Sequence, residues 1–275
     1  MAKELSLREI QLISLEIAKK VDKICDELEL RYYMYAGTLL GAVRHGGVIP
    51  WDDDIDIVMP RPDYEKLLDY IRKHQEELRP LKLYNIEDDE NYPYMISRLS
   101  DERYILDVEN EDPYGIGIFM DIYPWDGVGQ TEDEMAKRKI QAARYSSLCY
   151  LSTRQKCIKD NTKSKKKLMI KPFAFAFAKL MKKGFFVRKL DKMAPVYEYD
   201  ESKYVGCLVW GTDGPKGIYP IEWMEPYVKL KFEDTELRAP KEWDKALTKL
   251  FKNYMELPPE KDRIPHHDYR AFERE

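Results

Sequence analysis

The fold of this 275-residue chain is decided by one acidic stretch, Ile49-Pro50-Trp51-Asp52-Asp53-Asp54-Ile55-Asp56-Ile57-Val58-Met59-Pro60. From Asp54 onward, carboxylates alternate with branched aliphatic side chains, as in a β-strand with one buried face. Successive side chains of a strand point to opposite faces, so Asp54 and Asp56 share one face, while Ile55 and Ile57 pack on the other. Two like charges with Cα atoms about 7 Å apart repel unless a cation lies between them. The stretch therefore predicts a metal-binding strand, and a solvated acidic loop is the alternative.

Two neighbouring runs supply the other parts of a phosphate site. Upstream, an aromatic strand-like run ends at Gly37-Thr38 and leads into a helix. Backbone N–H groups and a hydroxyl at the start of a helix form a phosphate cradle. Downstream, the apolar run Gly117–Tyr123 carries a single carboxylate, Asp121, and predicts a buried strand. A third carboxylate beside Asp54 and Asp56 would complete a two-metal site of the kind that catalyses phosphoryl transfer.

The string from Ala36 to Ile57, which joins the Gly-Thr turn to the acidic strand, resembles the LicD family of phosphocholine transferases. Eukaryotic relatives of that family include fukutin-type phosphoribitol transferases. The resemblance continues through Met120–Gly127 and, more loosely, through Ala239–Leu247 and Tyr254–Pro259. Phe251-Lys252 departs from the aromatic-glycine pair expected in the family, which weakens only the C-terminal match. The resemblance thus covers most of the chain outside residues 130 to 200.

The resemblance implies an activity and a fold. Phosphocholine would pass from CDP-choline to a sugar hydroxyl of a teichoic acid or lipopolysaccharide-type glycan precursor, with release of CMP. Two divalent cations, expected to be Mg²⁺, would be held by Asp54, Asp56 and Asp121, the predicted catalytic residues. The alternatives among enzymes are transfer of another CDP-linked phospho-alcohol (ribitol, glycerol or ethanolamine) and nucleotidyl transfer from an NTP. A non-catalytic module that docks glycolipid or choline is the alternative from another class.

Six residues around the acids are predicted to bind substrate. The cradle assigns phosphate contacts to Gly37 and Thr38. Arg44 follows the next helix, and its guanidinium can clamp a phosphate oxygen; the alternative is a surface arginine or one paired with Asp52 or Asp53. Aromatic rings that flank the acids suit a quaternary ammonium group, with packing in the core as the alternative. Arg98, within a strand near Asp101, is expected to form a structural salt bridge rather than to bind phosphate. The predicted substrate-binding residues are Gly37, Thr38, Arg44, Trp51, Tyr123 and Trp125.

The element pattern predicts an α+β fold with a nucleotidyltransferase-like mixed sheet that is flanked by helices. Ser6-Leu7-Arg8-Glu9 has the spacing of a capping box and begins an amphipathic helix. Four strand-like pieces follow one helix between residues 81 and 123, which favours a mixed sheet. We predict three regions: residues 1–130 as the catalytic core, 131–200 as a basic helical insertion, and 201–275 as the part that completes the catalytic domain.

Positive charge is concentrated in one segment of an acidic protein. Residues 154–192 contain fourteen Lys or Arg and two Asp, whereas the whole chain has a net charge of −4. Cations beside Phe, Leu and Met at helical spacing are typical of a helix that lies on anionic lipid, here through residues 163–189. A solvated helical insert and a lid over an anionic substrate are the alternatives. Nucleic acid is not expected as a partner, because the rest of the chain is acidic.

Composition excludes several classes of protein. The four cysteines stand apart without a Cys-x-x-Cys pair, so neither a zinc site nor a disulfide framework is predicted. The longest uncharged apolar run of the basic segment, Pro172–Ala178, has seven residues, against the roughly 18 that a membrane span needs. The N-terminal residues carry no signal-peptide pattern. We expect a cytoplasmic enzyme, either free or peripheral at the inner face of the membrane. A C-terminal tail with His266-His267 either closes over the site or follows the surface.

Overall fold

A computed structural model describes residues 3–157, 165–193, 196–210, 214–265, 267 and 269–275. The helices of this part are α1 (Leu7–Glu27), α2 (Ala36–His45), α3 (Arg61–Lys73), α4 (Glu132–Thr153), α5 (Lys165–Met181), α6 (Lys183–Asp191) and α7 (Trp243–Phe251). The strands are β1 (Tyr33–Met34), β2 (Asp56–Pro60), β3 (Leu81–Tyr84), β4 (Ser97–Asp101), β5 (Tyr104–Val108), β6 (Ile118–Gly129), β7 (Tyr204–Gly206), β8 (Ile218–Pro220), β9 (Val228–Phe232), β10 (Thr235–Ala239) and β11 (Tyr269–Glu273).

The main sheet is mixed, with the order β1-β2-β6-β4-β3. Strands β2 and β6 run parallel, and the other neighbours in this sheet run antiparallel. The second half of β6 pairs with β7, which in turn pairs with β8. The prediction of an α+β fold with a mixed sheet and flanking helices is therefore confirmed. The nucleotidyltransferase-like assignment, the three regions and the insertion stay predictions.

Helix α1 covers one face of the sheet. Its apolar residues recur at helical spacing, so they form one side of the helix, and that side packs on the sheet. Ser6 and Glu9 form both hydrogen bonds of the predicted capping box, which satisfies N–H groups that the first turn leaves free. The inward face of α1 then packs in one core with α3 and with Ile55 and Ile57. Val58, whose side chain points to the other face of the sheet, belongs to a second core. The alternating direction of the side chains along the acidic stretch thus places neighbouring residues in different cores.

The acidic strand begins two residues later than the alternation predicts. Regular pairing of β2 starts at Asp56, so Asp54 and Ile55 lie before the strand. The physical reason is the shortness of β1, which offers β2 only two paired residues before the chain turns into α2. Asp54 is therefore outside the ladder that holds Asp56, although the carboxylate of Asp54 remains close to that of Asp56.

Three further groups of elements surround the main sheet. Strands β9 and β10 form a hairpin, and β11 pairs with β5 in an antiparallel ladder. Helices α4, α5 and α6 pack on one another. Among the helices that the structure describes, none is both long and apolar enough to cross a bilayer. Of the predicted membrane-contact segment, residues 163 and 164 lie outside the described residues.

Candidate active site

Three carboxylates meet where β2 and β6 run side by side. The parallel register places Asp56 directly opposite Asp121, and the Asp121 N–H donates to the carbonyl oxygen of Ile55 at 3.0 Å. With Asp54 included, one carboxylate oxygen from each acid lies within 4.8 Å of the other two. The structure therefore brings together the three residues for which the sequence predicts a metal site. Strand register places Asp56 beside Asp121, and Asp54 approaches them from the residues just before β2.

The electrostatics of these acids fit a divalent cation. Burial raises the pKa of Asp54 to about 7, and the charges of neighbouring acids add to the effect. Burial raises the pKa of Asp56 well above its ordinary value, reinforced by the charges of Asp54 and Asp121. Asp56 Oδ1 is buried and accepts no hydrogen bond from the described residues. Hard oxygen ligands of this kind suit Mg²⁺, which prefers carboxylates and phosphate oxygens.

Arg98 fixes the orientation of Asp121. Its Nε donates to Asp121 Oδ1 at 2.6 Å, and its Nη2 donates to Oδ2 at 3.2 Å. The guanidinium carbon lies 3.7 Å from the ring centres of both Tyr94 and Phe119. The expected structural salt bridge of Arg98 is thus present, and its partner is Asp121. The reason is the register of β4 on β6, which pairs residue 98 with residue 121.

The Gly-Thr turn supports the acids from the first turn of α2. Thr38 Oγ1 accepts a hydrogen bond of 2.8 Å from the Asp56 N–H, so this hydroxyl holds the start of β2. At Gly37, a Cβ atom would lie 2.5 Å from Asp52 Oδ2. Only glycine therefore allows the Asp52 carboxylate to approach the helix start this closely. The role of this turn as a phosphate cradle stays a prediction.

Arg44 and Trp51 lie at the other end of α2. Arg44 Nη1 donates to the carbonyl oxygen of Tyr254 at 3.0 Å, and burial lowers the pKa of this guanidinium. The Trp51 ring packs edge-on against His45, between the guanidinium groups of Arg44 and Arg263. The structure thus places both predicted substrate-binding residues beside the part of the chain that contains Tyr254 and Arg263. Arg44 lies about seven helical residues, or 10 Å, along α2 from Gly37.

The two predicted aromatic residues of β6 occupy different environments. Tyr123 lies near the acids, since burial and then the charges of Asp56 and Asp121 raise its pKa well above the ordinary value. Its ring centre lies 6.2 Å from that of Tyr35. Trp125 is 1% exposed and stacks on Tyr219 with ring centres 5.3 Å apart. Tyr123 therefore lines the acid site, whereas Trp125 packs in the core behind it.

The C-terminal segment, residues 267 and 269–275, contributes two residues that were not predicted as site residues, His267 and Tyr269. The His267 N–H donates to Asp53 Oδ2 at 3.1 Å, and His267 Nδ1 lies 2.9 Å from Asp53 Oδ1. The Tyr269 hydroxyl donates to the Asp53 carbonyl oxygen at 2.7 Å. Burial lowers the pKa of His267, but its hydrogen bond with Asp53 and the charge of Asp54 raise it to about 9. The tail therefore closes over the site. The paired histidines were its one sequence signal, and His266 lies outside the described residues.

Comparison with known proteins decides the family. The lipopolysaccharide cholinephosphotransferase LicD of Haemophilus influenzae is 30% identical to this chain over 278 residues, which cover 98% of the chain and 99% of that protein. The chain belongs to the LicD family. The model of the LicD/FKTN/FKRP nucleotidyltransferase domain matches residues 29–139, which include all three acids of this LicD-family site. The predicted family and the prediction of a phosphotransferase are confirmed.

More distant relatives share shorter parts of the chain. Human and mouse ribitol 5-phosphate transferase FKRP are each 45% identical over 42 residues, which cover 15% of this chain and 8% of those proteins. An uncharacterised protein of Rickettsia typhi is 25% identical over 112 residues, or 40% of this chain and 36% of that protein. His267 and Tyr269 lie beyond the matched family domain, so the C-terminal segment completes the site from outside it.

Proposed function

We propose that this protein transfers phosphocholine from CDP-choline to a sugar hydroxyl of a lipopolysaccharide or teichoic acid-type glycan precursor, with release of CMP. The observation that carries the proposal is the triad of Asp54, Asp56 and Asp121, with one carboxylate oxygen of each acid within 4.8 Å of the other two. Similarity over nearly the full length to a lipopolysaccharide cholinephosphotransferase supports the choice of group and acceptor. Transfer of ribitol phosphate, named for the FKRP relatives, is the second candidate.

The acids would hold two divalent cations, which we propose to be Mg²⁺. When bound, these ions neutralise phosphate charge and lower the pKa of an attacking hydroxyl. The acceptor oxygen forms a bond to the phosphorus of the phosphocholine group. The bond from that phosphorus to the CMP oxygen breaks with its electron pair left on CMP, and the hydroxyl proton is released to water. Positioning and charge stabilisation account for most of the catalysis in such a transfer.

The remaining residues of the site position these groups. Arg98 holds Asp121 through both carboxylate oxygens, and Thr38 holds the backbone at Asp56. Tyr35 and Tyr123 present aromatic rings next to the acids. An aromatic face attracts a quaternary ammonium ion, which supports choline over ribitol as the carried alcohol.

Calorimetry with and without Mg²⁺ tests the donor. CDP-choline, CDP-ribitol, CDP-glycerol, CDP-ethanolamine and CTP are titrated into the wild type and into Asp54→Asn. We expect Mg²⁺-dependent binding that favours CDP-choline and is lost in the variant, together with CMP as the product. Preference for another CDP-alcohol would change the carried group. Preference for CTP, with release of pyrophosphate, would indicate nucleotidyl transfer, and binding of none of them would favour a docking module.

We also propose that α5 and α6 rest on an anionic membrane, at its inner face, where a lipid-linked glycan acceptor is available. Five large apolar side chains of α5 are between 47% and 79% exposed. At 3.6 residues per turn they fall within an arc of about 100°, on the side opposite the buried Ala178. An exposed apolar face of this size marks an interaction surface. The apolar face consists of Met169, Ile170, Phe173, Phe177 and Leu180.

The positive charge of this segment favours a lipid surface over a second copy of the chain as the partner that covers the apolar face. Residues 165–193 contain ten Lys or Arg and one acid, Asp191. Two copies that met through the apolar face would bring these basic segments together, whereas an anionic bilayer neutralises them. Cosedimentation with vesicles tests this proposal. We expect Phe173→Ser with Leu180→Ser to weaken binding to phosphatidylglycerol vesicles about tenfold. Unchanged vesicle binding, or dimerisation through this face, would contradict it.

A further inference from the structure

The three acids of the site are not held in the same way. Asp56 and Asp121 are partners in the β2–β6 ladder, so sheet register fixes both. Asp54 precedes the first residue of β2 and has no partner in that ladder. A carboxylate outside the ladder needs another support if it is to keep the geometry that a cation requires.

The support for this part of the acidic stretch comes from the C-terminal segment. Asp53, the neighbour of Asp54, is buried, and both of its carboxylate oxygens pair with residue 267, at 2.9 Å with Nδ1 and at 3.1 Å with the backbone N–H. The Asp53 carbonyl oxygen accepts from the Tyr269 hydroxyl at 2.7 Å. Side chain and backbone of Asp53 are thus held by residues more than 200 positions away in the sequence.

The C-terminal segment is itself anchored on the sheet side of the site. Strand β11 pairs with β5 over five residues, and the Leu5 N–H donates to the carbonyl oxygen of Ala271 at 2.9 Å. The His267 ring lies 6.5 Å from that of Phe119, which also packs on the guanidinium of Arg98. His267 is therefore delivered to the acids by a paired strand, and the same aromatic ring contacts the support of Asp121.

We propose that His267 is a positioning residue for the acid site, which holds Asp53 and thereby sets Asp54 for a divalent cation. This inference rests on the proposed cation site. His267 Nδ1, which faces the acids, pairs with Asp53 at 2.9 Å and lies 3.6 Å from Asp54 Oδ2. Because Nδ1 is engaged by Asp53, it serves as a donor to a carboxylate rather than as a ligand to the cation. Groups that orient metal ligands in this way change metal affinity by about 10- to 100-fold when replaced.

Two amide substitutions separate positioning from a general structural role. Asn places an amide N–H near the position of Nδ1, whereas Gln places it near the position of Nε2. We therefore expect His267→Asn to bind Mn²⁺ within about threefold of the wild type and His267→Gln to bind it at least about tenfold more weakly. Tyr269→Phe, which loses only the hydroxyl, should weaken Mn²⁺ binding by a smaller factor.

Arg270→Ala is the matched control. This side chain lies on β11 next to Tyr269, is 63% exposed and pairs with an equally exposed Asp107, so its loss should leave Mn²⁺ affinity unchanged. Mn²⁺ affinity is measured by electron paramagnetic resonance, with the thermal midpoint of the metal-free protein recorded for each variant. Equal loss of affinity in His267→Asn and His267→Gln, together with a lower midpoint, would show a structural tether and overturn the proposal.

The same protein preparations distinguish this inference from the proposed function. Wild-type affinity for Mn²⁺ in His267→Gln, or no Mn²⁺ binding by the wild type, would overturn the role of His267. If instead the Mn²⁺ affinities follow the expected order and CDP-choline is not consumed, the proposed donor is wrong and the positioning role of His267 stands.

Discussion

The acid site and the pair of helices α5 and α6 place their charged side chains in opposite ways. The acid site gathers three carboxylates, and two of them, Asp56 and Asp121, are held opposite each other by the register of adjacent strands. The helices expose the cations of Lys179, Arg188 and Lys189, and α5 also exposes a face of large apolar side chains. Each arrangement is unfavourable in the isolated protein, and each is relieved by a partner. Buried acids are relieved by a cation, and an exposed apolar face is relieved by a surface that covers it.

The largest expected effect comes from breaking the support of the buried acids. Arg98→Met removes the partner of Asp121 and leaves an uncompensated buried charge beside two other acids. We expect the free energy of unfolding of the metal-free protein to fall by about 3–5 kcal/mol, measured by urea denaturation. In the control Arg270→Met, both side chains of the lost pair with Asp107 are 63% exposed, so the cost should stay below about 1 kcal/mol. Equal costs in the two variants would refute the difference between buried and exposed pairs.

Loss of one acid should abolish activity while leaving the basic helices unaffected. Asp56→Asn removes a carboxylate that strand register places opposite Asp121. We expect kcat/KM with CDP-choline to fall at least about 100-fold, as for loss of one main electrostatic stabiliser. Asp69→Asn, at a side chain that is 63% exposed on α3, is the control. If Asp56→Asn retains activity and Mg²⁺ dependence, the transferase mechanism on these acids is wrong.

The unfavourable free energy of burying the Asp54 carboxylate should appear in the pH dependence of the protein's stability. Burial raises the pKa of Asp54 to about 7, above its unfolded value of about 4. The folded protein therefore binds this proton more tightly, and the metal-free protein loses stability as the pH rises from about 4 to 7. Asp54→Asn should raise the thermal midpoint at pH 8 by roughly 4–8 °C, about 2 kcal/mol, and leave it unchanged near pH 4. A lower midpoint of the variant at pH 8 would contradict this sign.

The smallest effect is expected for an exposed cation of helix α5. Lys179→Gln removes one exposed cation from α5. Each cation near an anionic surface contributes about 1 kcal/mol, so binding to phosphatidylglycerol vesicles should weaken about fivefold, and binding to neutral vesicles should not change. Lys245→Gln, on α7 and 55% exposed, should leave vesicle binding unchanged. Equal effects of the two substitutions would show that net charge, and not this helix, attracts the protein to lipid.

Local patterns were enough to predict much of the fold. The capping box at Ser6 and Glu9 marks the start of α1 because its hydrogen bonds join residues three apart. The alternation through Ile57 predicts a strand with acids on one face, since side-chain direction along a strand follows from backbone geometry. Its starting residue was predicted two positions too early, because the length of the neighbouring strand is not a local property.

Contacts between distant residues were the part that local patterns missed. The sequence predicted a salt bridge for Arg98, but the register of β4 on β6 supplied its partner, Asp121. Trp125 carried the same signal as Tyr123, and only the packing against Tyr219 shows that its ring is buried. The pairing of His267 with Asp53 joins residues 214 positions apart, and no spacing rule connects them.

The sequence by itself thus determined the family, the mixed α+β fold and the acidic residues whose type and spacing suit a cation. Side-chain chemistry and periodicity carry that information within a few residues of each position. Only the tertiary structure decided that Asp121 faces Asp56, that Arg98 holds it, and that the C-terminal segment closes on Asp53. These contacts depend on strand pairing and on how separate segments pack, because loop closure brings together residues that share no local pattern.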